Sequence, residues 1–122
     1  MIVLIVEDEP KVQQLLKEHF ERQGHQMLGT GSGDEAMQLL RQHQPHIMLL
    51  DLWLKGKIDG MSVLKEAKMI SPKTRVIVAT GFEESSGEQI AKLGAIALLK
   101  KPIRLEELDR LIQQTQAPAT SP

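Results

Sequence analysis

Four short, continuous apolar runs, Ile2–Val6, Ile47–Leu50, Val76–Ala79 and Ile96–Leu99, recur along the chain at wide and fairly even intervals. A less apolar run, Gln26–Thr30, falls between the first two. Runs that stay apolar instead of alternating belong to strands buried on both faces, which is the habit of a parallel sheet covered by helices. The intervening stretches carry helical spacing. Val12, Leu15, Leu16 and Phe20 share one face, as do Ala36, Leu39 and Leu40, and Val63, Leu64, Ala67 and Ile70. A last helix shows Leu105, Leu108, Leu111 and Ile112. Gly24 and Gly94 sit where helices should stop, Pro72 follows Ser71, and Pro10 suits a first helical turn, where the missing N–H costs nothing. A fourth helix, expected from about Ser86 to Leu93, has the lowest propensity because Ser85-Ser86-Gly87 lies at its start. Strand and helix therefore alternate five times, and right-handed crossovers put helices on both faces of one sheet.

Composition narrows the function classes. The 122 residues hold 15 Lys+Arg against 16 Asp+Glu, a net charge of -1, so there is no basic footprint for nucleic acid or for a membrane surface. The absence of cysteine removes disulfides, zinc-thiolate sites and cysteine nucleophiles, and it fits a reducing compartment. The apolar run from Met1 to Val6 is far shorter than the roughly 20 residues that span a bilayer, and it lacks the flanks of a signal peptide. The expectation is a cytoplasmic domain over residues 1–115, with 116–122 a flexible tail or the start of a linker.

In an open parallel sheet, ligands bind beyond the carboxyl ends of the strands. There the first run is followed by Glu7, Asp8 and Glu9, the third by Asp51, the fourth by Thr80 and Gly81, and the last by Lys100, Lys101 and Pro102. Glu9 before Pro10 reads equally as a helix N-cap, and a lone Thr or Lys-Pro pair is ordinarily a turn. Asp51 is harder to dismiss, since an acid closing a buried strand has to be paired, protonated or bound to a metal. Glu7, Asp8 and Asp51 together bring about three negative charges, of which one lysine offsets one. Oxygen donors of this kind suit Mg²⁺, and a carboxylate neutralised in this way beside a lysine and a hydroxyl is placed to accept a phosphoryl group.

With these residues in hand, the chain resembles the receiver domain of two-component response regulators from Ile2 to about Gln114. The resemblance is carried by Leu4-Ile5-Val6-Glu7-Asp8-Glu9-Pro10, Leu49-Leu50-Asp51, Asp59-Gly60, Ala79-Thr80 and Lys101-Pro102, in order and at matching spacing. It implies a flavodoxin-like (βα)5 sandwich with a five-stranded parallel sheet in the order 2-1-3-4-5. It implies a phosphorelay switch that catalyses its own phosphoryl transfer and slow dephosphorylation, not an enzyme acting on an external substrate. Asp51 would be the phosphoacceptor, supplied by a sensor histidine kinase or histidine phosphotransfer protein. Asp8 and Asp51 would ligate Mg²⁺ directly, with the backbone carbonyl of Trp53, and Glu7 through water. Lys101 and Thr80 would bind phosphoryl oxygens, and the Lys101–Pro102 bond would be cis. The output would pass to an unknown output domain or target protein, without direct nucleic-acid or membrane binding.

Several positions depart from the family pattern. Lys55 stands where proline is common, and the stretch from Asp51 to Gly60 is one residue longer than usual. Gly81 replaces a more usual alanine. Leu98 stands where the family carries Tyr or Phe, so switching has to run without the usual inward turn of a ring. The resemblance also implies that Trp53 and Phe82 would flank the path of a hydrolytic water, and both are bulky and apolar. An aspartate-nucleophile phosphatase or phosphotransferase on a doubly wound fold is the alternative reading, but it would want a second acid where Trp53 stands. The segment Gly29-Thr30-Gly31-Ser32-Gly33 lacks the full dinucleotide fingerprint and reads as a flexible turn capped by Ser32 or Asp34, against a flavin or nucleotide site. A degenerate, scaffold-only receiver is disfavoured by the complete set of acids, Thr80 and Lys101. The histidines, His19, His25, His43 and His46, are scattered, and a solvated surface role is expected for them.

Overall fold

A computed structural model describes residues 1–54, 59–81 and 87–116. Strands and helices alternate as β1 (Ile2–Val6), α1 (Pro10–Arg22), β2 (Gln26–Thr30), α2 (Gly33–His43), β3 (Ile47–Asp51), α3 (Gly60–Ile70), β4 (Arg75–Thr80), α4 (Gly87–Lys92), β5 (Ala95–Lys100) and α5 (Leu105–Gln116). All pairings are parallel, in the order β2-β1-β3-β4-β5, which is the flavodoxin-like arrangement the resemblance implied.

Strand alternation divides the core in two. Leu4, Val6, Met48, Leu50, Val76 and Val78 face Ala36 and Leu40 of α2, Val63, Leu64 and Ala67 of α3 and Ile90 of α4. The intervening residues Val3, Ile5, Ile47, Leu49, Ile77 and Ala79 face Leu16 and Phe20 of α1 and Leu108 and Ile112 of α5. Because both faces of the central strands are covered, β1 and β3 read as unbroken apolar runs.

The helix ends follow local chemistry. Pro10 occupies the first turn of α1, but Glu9 at the cap position makes no side-chain cap bond. Ser32 Oγ accepts from Glu35 N–H at 3.4 Å and caps α2. Gly24 and Gly94 follow α1 and α4 with φ of 86° and 105°, conformations that a side chain would strain. Gln44 takes a left-handed turn after α2, and its side-chain amide donates to Leu40 O and Ile70 O at 3.0 and 3.1 Å. Asp59 caps α3 by accepting from Ser62 N–H at 2.9 Å, which holds its carboxyl below the ordinary carboxylate range. A depressed carboxyl contributes stability above its unfolded value and loses it as pH falls through the folded one. Asp59→Ala should therefore cost about 1 kcal/mol in urea melts at neutral pH. The gap from wild type should close in acid, below the depressed value.

His43 and His46 are exposed, as expected for surface histidines, whereas His19 and His25 are half-buried and, like His46, make specific contacts. His19 Nε2 lies 2.8 Å from Asp109 Oδ1, joining α1 to α5. His46 Nδ1 accepts from Ile2 N–H at 3.0 Å, and His25 Nδ1 lies 3.3 Å from the amino terminus. The His25 and His46 contacts lie at the amino-terminal edge of the sheet, opposite the acids. Among the described residues, no helix is long and apolar enough to cross a membrane.

Candidate functional site

Register brings the acids together. In the parallel pair of β1 and β3, Val6 lies opposite Leu50, so the residues that follow, Glu7 and Asp51, emerge side by side. Asp51 in turn pairs with Ala79, and Thr80 with Lys100, which sets Thr80 and Lys101 at the same carboxyl edge. The carboxylates of Glu7, Asp8 and Asp51 each offer an oxygen within 4.8 Å of the others. Glu7 and Asp51 are each only 4% exposed, an expensive place for two negative charges. Lys101 answers this directly: its Nζ donates to Glu7 Oε2 at 2.8 Å and to Asp51 Oδ2 at 2.9 Å.

The second oxygen of Asp51, Oδ1, accepts from Trp53 N–H at 3.0 Å, so the carboxylate is fixed in orientation from both ends. Lys101 N–H donates to Thr80 O at 3.0 Å, tying the lysine's backbone to the end of β4, and the Lys101–Pro102 peptide is cis. Thr80 is buried. Gly60, at the start of α3, presses so closely on β3 that a Cβ there would overlap Asp51 O and Leu52 Cα. Only glycine lets α3 start this near the end of β3.

Charge is unbalanced at the site. Burial pushes the Glu7 carboxyl above its usual range, and Asp51 adds to the push against the opposing hydrogen bond from Lys101. Burial acts to lower Lys101, but the hydrogen bonds and charges of Glu7 and Asp51 outweigh it and hold the ammonium above its ordinary value. Three carboxylates and one ammonium leave roughly -2 in one cluster of hard oxygen donors with no sulfur or imidazole among them. That donor set fits a small divalent cation of the oxygen-preferring class.

Glu7, Asp8, Asp51 and Lys101 are thus brought together, with Thr80 at the adjoining strand end. Trp53 stands at the rim, 58% exposed, beside a cavity of about 320 Å³ shared with Leu54, Asp59 and Met61. Leu98, at the position usually aromatic, is half-buried and packs toward the α2–α4 side of the sheet. Lys55 and Phe82 lie outside the described residues. One participant had no signal in the apolar pattern: Gln13, on α1, donates from Nε2 to Glu7 O at 2.6 Å.

Comparison with known proteins identifies the family. Residues 3–113 match the model of the response regulator receiver domain. The chain is 34% identical over 107 residues to sporulation initiation phosphotransferase F of Bacillus subtilis, covering 87% of this chain and 86% of that protein. It is 32% identical over 110 residues to the transcriptional regulatory protein PdtaR of Mycobacterium tuberculosis, covering 87% of this chain but 52% of that protein. The chain likewise spans about half the length of the C4-dicarboxylate response regulator DctR of Priestia megaterium, 50% of it at 29% identity. Among solved structures, the signal receiver domain of a LuxO repressor protein from Vibrio parahaemolyticus superposes with a TM-score of 0.83 at 26% identity, over 93% of this chain and 88% of that one. With its fold, the order of its strands and nearly its whole length matched, the chain belongs to the response regulator receiver domain family of two-component signalling.

Proposed function

We propose that Asp51 is the phosphoacceptor of this receiver, charged from a phosphohistidine on a sensor histidine kinase or a phosphotransfer protein in a Mg²⁺-dependent reaction that the domain itself catalyses. The observation that carries the assignment is the bridge of Lys101 between two buried acids beside Asp8. Asp51 has its two oxygens separately oriented by Trp53 N–H and Lys101 Nζ, at the carboxyl edge of the sheet where Glu7 and Asp8 also stand.

In the transfer, an Asp51 carboxylate oxygen attacks phosphorus as the bond from phosphorus to the donor imidazole nitrogen breaks, leaving an acyl phosphate on Asp51. The Trp53 N–H holds Oδ1 still while Oδ2, the oxygen now bound to Lys101, reacts. Lys101 Nζ then passes from the carboxylate to a phosphoryl oxygen, so its charge follows the charge that has moved. The Thr80 hydroxyl supplies a further donor to the phosphoryl group. Asp8 and Asp51, with the Trp53 carbonyl and with Glu7 through water, would hold Mg²⁺, whose charge would offset the repulsion between the acids and an incoming phosphoryl group. The receiver comprises residues 1–115, works in the cytoplasm, and hands its state to an output domain or a separate target by surface change.

Trp53 is the single tryptophan of the chain, which makes its fluorescence a direct reporter of this site. Its emission should change on adding Mg²⁺ and change again with beryllofluoride, a phosphoryl mimic. A signal that stays flat through both additions contradicts the assignment.

A further inference from the structure

The glycine-rich segment after β2 and the polar face of α1 meet at the peptide that joins Glu7 to Asp8. Beyond Val6 the β1–β2 ladder ends, but Glu7 N–H still donates to Thr30 O at 2.9 Å. On the α1 side, Gln13 Nε2 donates to Glu7 O at 2.6 Å. On the β2 side, Gly31 lies flat against the next residue: a Cβ there would stand 3.0 Å from Asp8 Cα and 3.4 Å from Asp8 Cβ and from Glu7 O. Gly29 completes the arrangement, since a Cβ on it would come within 3.2 Å of Gln13 Oε1 and 3.0 Å of Met27 Cε. One glycine of β2 makes room for the carboxamide, and the next lets the loop close on Asp8.

We infer that Gln13 and Gly31 are positioning residues for the metal-binding acids, clamping the Glu7–Asp8 peptide from opposite sides. The inference rests on the reading of Asp8 as a cation ligand made above. Its physical basis is the repulsion among Glu7, Asp8 and Asp51, whose oxygens lie within 4.8 Å. Carboxylates crowded in this way recoil when their backbone is free, and a cation then has to draw them back together at a cost in affinity. Holding the carbonyl between two of the acids removes that reorganisation before the cation arrives. Partners outside the ligand set act on metal affinity in this manner, typically by tenfold or more. Gln13 bonds to the Glu7 backbone carbonyl and not to a carboxylate oxygen, so it acts through the placement of Glu7 and Asp8.

The test is a Mg²⁺ titration followed by Trp53 fluorescence, paired with the metal-free melting temperature. The set is wild type, Gln13→Leu, Gly31→Ala, Asp8→Asn and Leu111→Ala, the last a half-buried position on α5 that serves as a stability control. Gln13→Leu keeps the bulk and removes the donor; its Mg²⁺ Kd should rise about tenfold. Gly31→Ala should raise Kd severalfold by displacing Asp8, and Leu111→Ala should lower the melting temperature at least as much as either while leaving Kd near wild type. Adding Gln13→Leu to Asp8→Asn should weaken residual binding little further, since both act through one ligand. If wild type binds Mg²⁺ and Asp8→Asn weakens it, but Gln13→Leu and Gly31→Ala stay within twofold of wild type, the clamp is refuted and the metal reading stands. The clamp is equally refuted if Leu111→Ala weakens Mg²⁺ as much as they do. If wild type gives no Mg²⁺ response, the metal reading itself falls and takes the clamp with it. Should Gln13→Leu fail to fold, Gly31→Ala decides by the same criteria.

Discussion

Asp51→Asn should abolish Mg²⁺-dependent phosphorylation by acetyl phosphate, a drop of about a thousandfold or more, while wild type gains one acid-labile phosphate by mass spectrometry. The size follows from what is lost: an amide oxygen cannot serve as the nucleophile that forms the acyl phosphate. The fold should change little. The replacement is isosteric, its carbonyl oxygen can still accept from Trp53 N–H, and the attraction lost to Lys101 is offset by relief of repulsion from Glu7 and Asp8. Phosphate incorporation that survives the substitution would transfer the acceptor role to another acid, with Asp8 and Glu7 the immediate neighbours. An unfolded variant would show itself in the melt, so loss of chemistry and loss of structure are read separately.

Much of this site is legible in one dimension because a parallel sheet converts strand ends into neighbours. Glu7, Asp51, Thr80 and Lys101 each follow or close an apolar run, and the register of β1, β3, β4 and β5 sets those ends side by side. The β2 run, though poorest in apolar residues, forms a strand over Gln26–Thr30, because its half-exposed edge position asks for less apolar character. The sequence could not show who holds the acids. Gln13 lies at a polar position of an amphipathic helix, where periodicity assigns solvent, and its bond to Glu7 O depends on the height at which α1 crosses β2. Gly29 and Gly31 read as a turn from composition, whereas each in fact clears a specific contact. His19 was equally hidden, since its partner Asp109 is distant in sequence and only the packing of α1 beside α5 brings them to 2.8 Å.

Lys101→Met should weaken the metal-free protein and at the same time tighten its grip on Mg²⁺. The ammonium is the only cation bonded to Glu7 and Asp51 among the interactions resolved at the site, and both acids are about 5% exposed at their side chains. Stripping one partner from buried charges costs several kcal/mol when the site is fully enclosed. Lys101 is 26% exposed, so water returns part of that loss. About 2 kcal/mol is expected, or roughly 8 °C in melting temperature for a domain of this size. Removing the lysine also takes the cluster from roughly -2 to roughly -3, which strengthens its attraction for a divalent ion by about 1.4 kcal/mol even at a nearly aqueous dielectric, close to tenfold in Kd. Mg²⁺ at a hundredfold excess over Kd stabilises any native-state binder by about 2.7 kcal/mol, so at one fixed Mg²⁺ concentration the variant should gain more than wild type and the gap between their melts should narrow. Phosphorylation should still fail in the variant, because no charge follows the phosphoryl oxygen. Differential scanning calorimetry across a Mg²⁺ series checks both signs. Equal Mg²⁺ shifts for the two proteins, or a metal-free melt of Lys101→Met at the wild-type temperature, would show that Lys101 does not neutralise these acids.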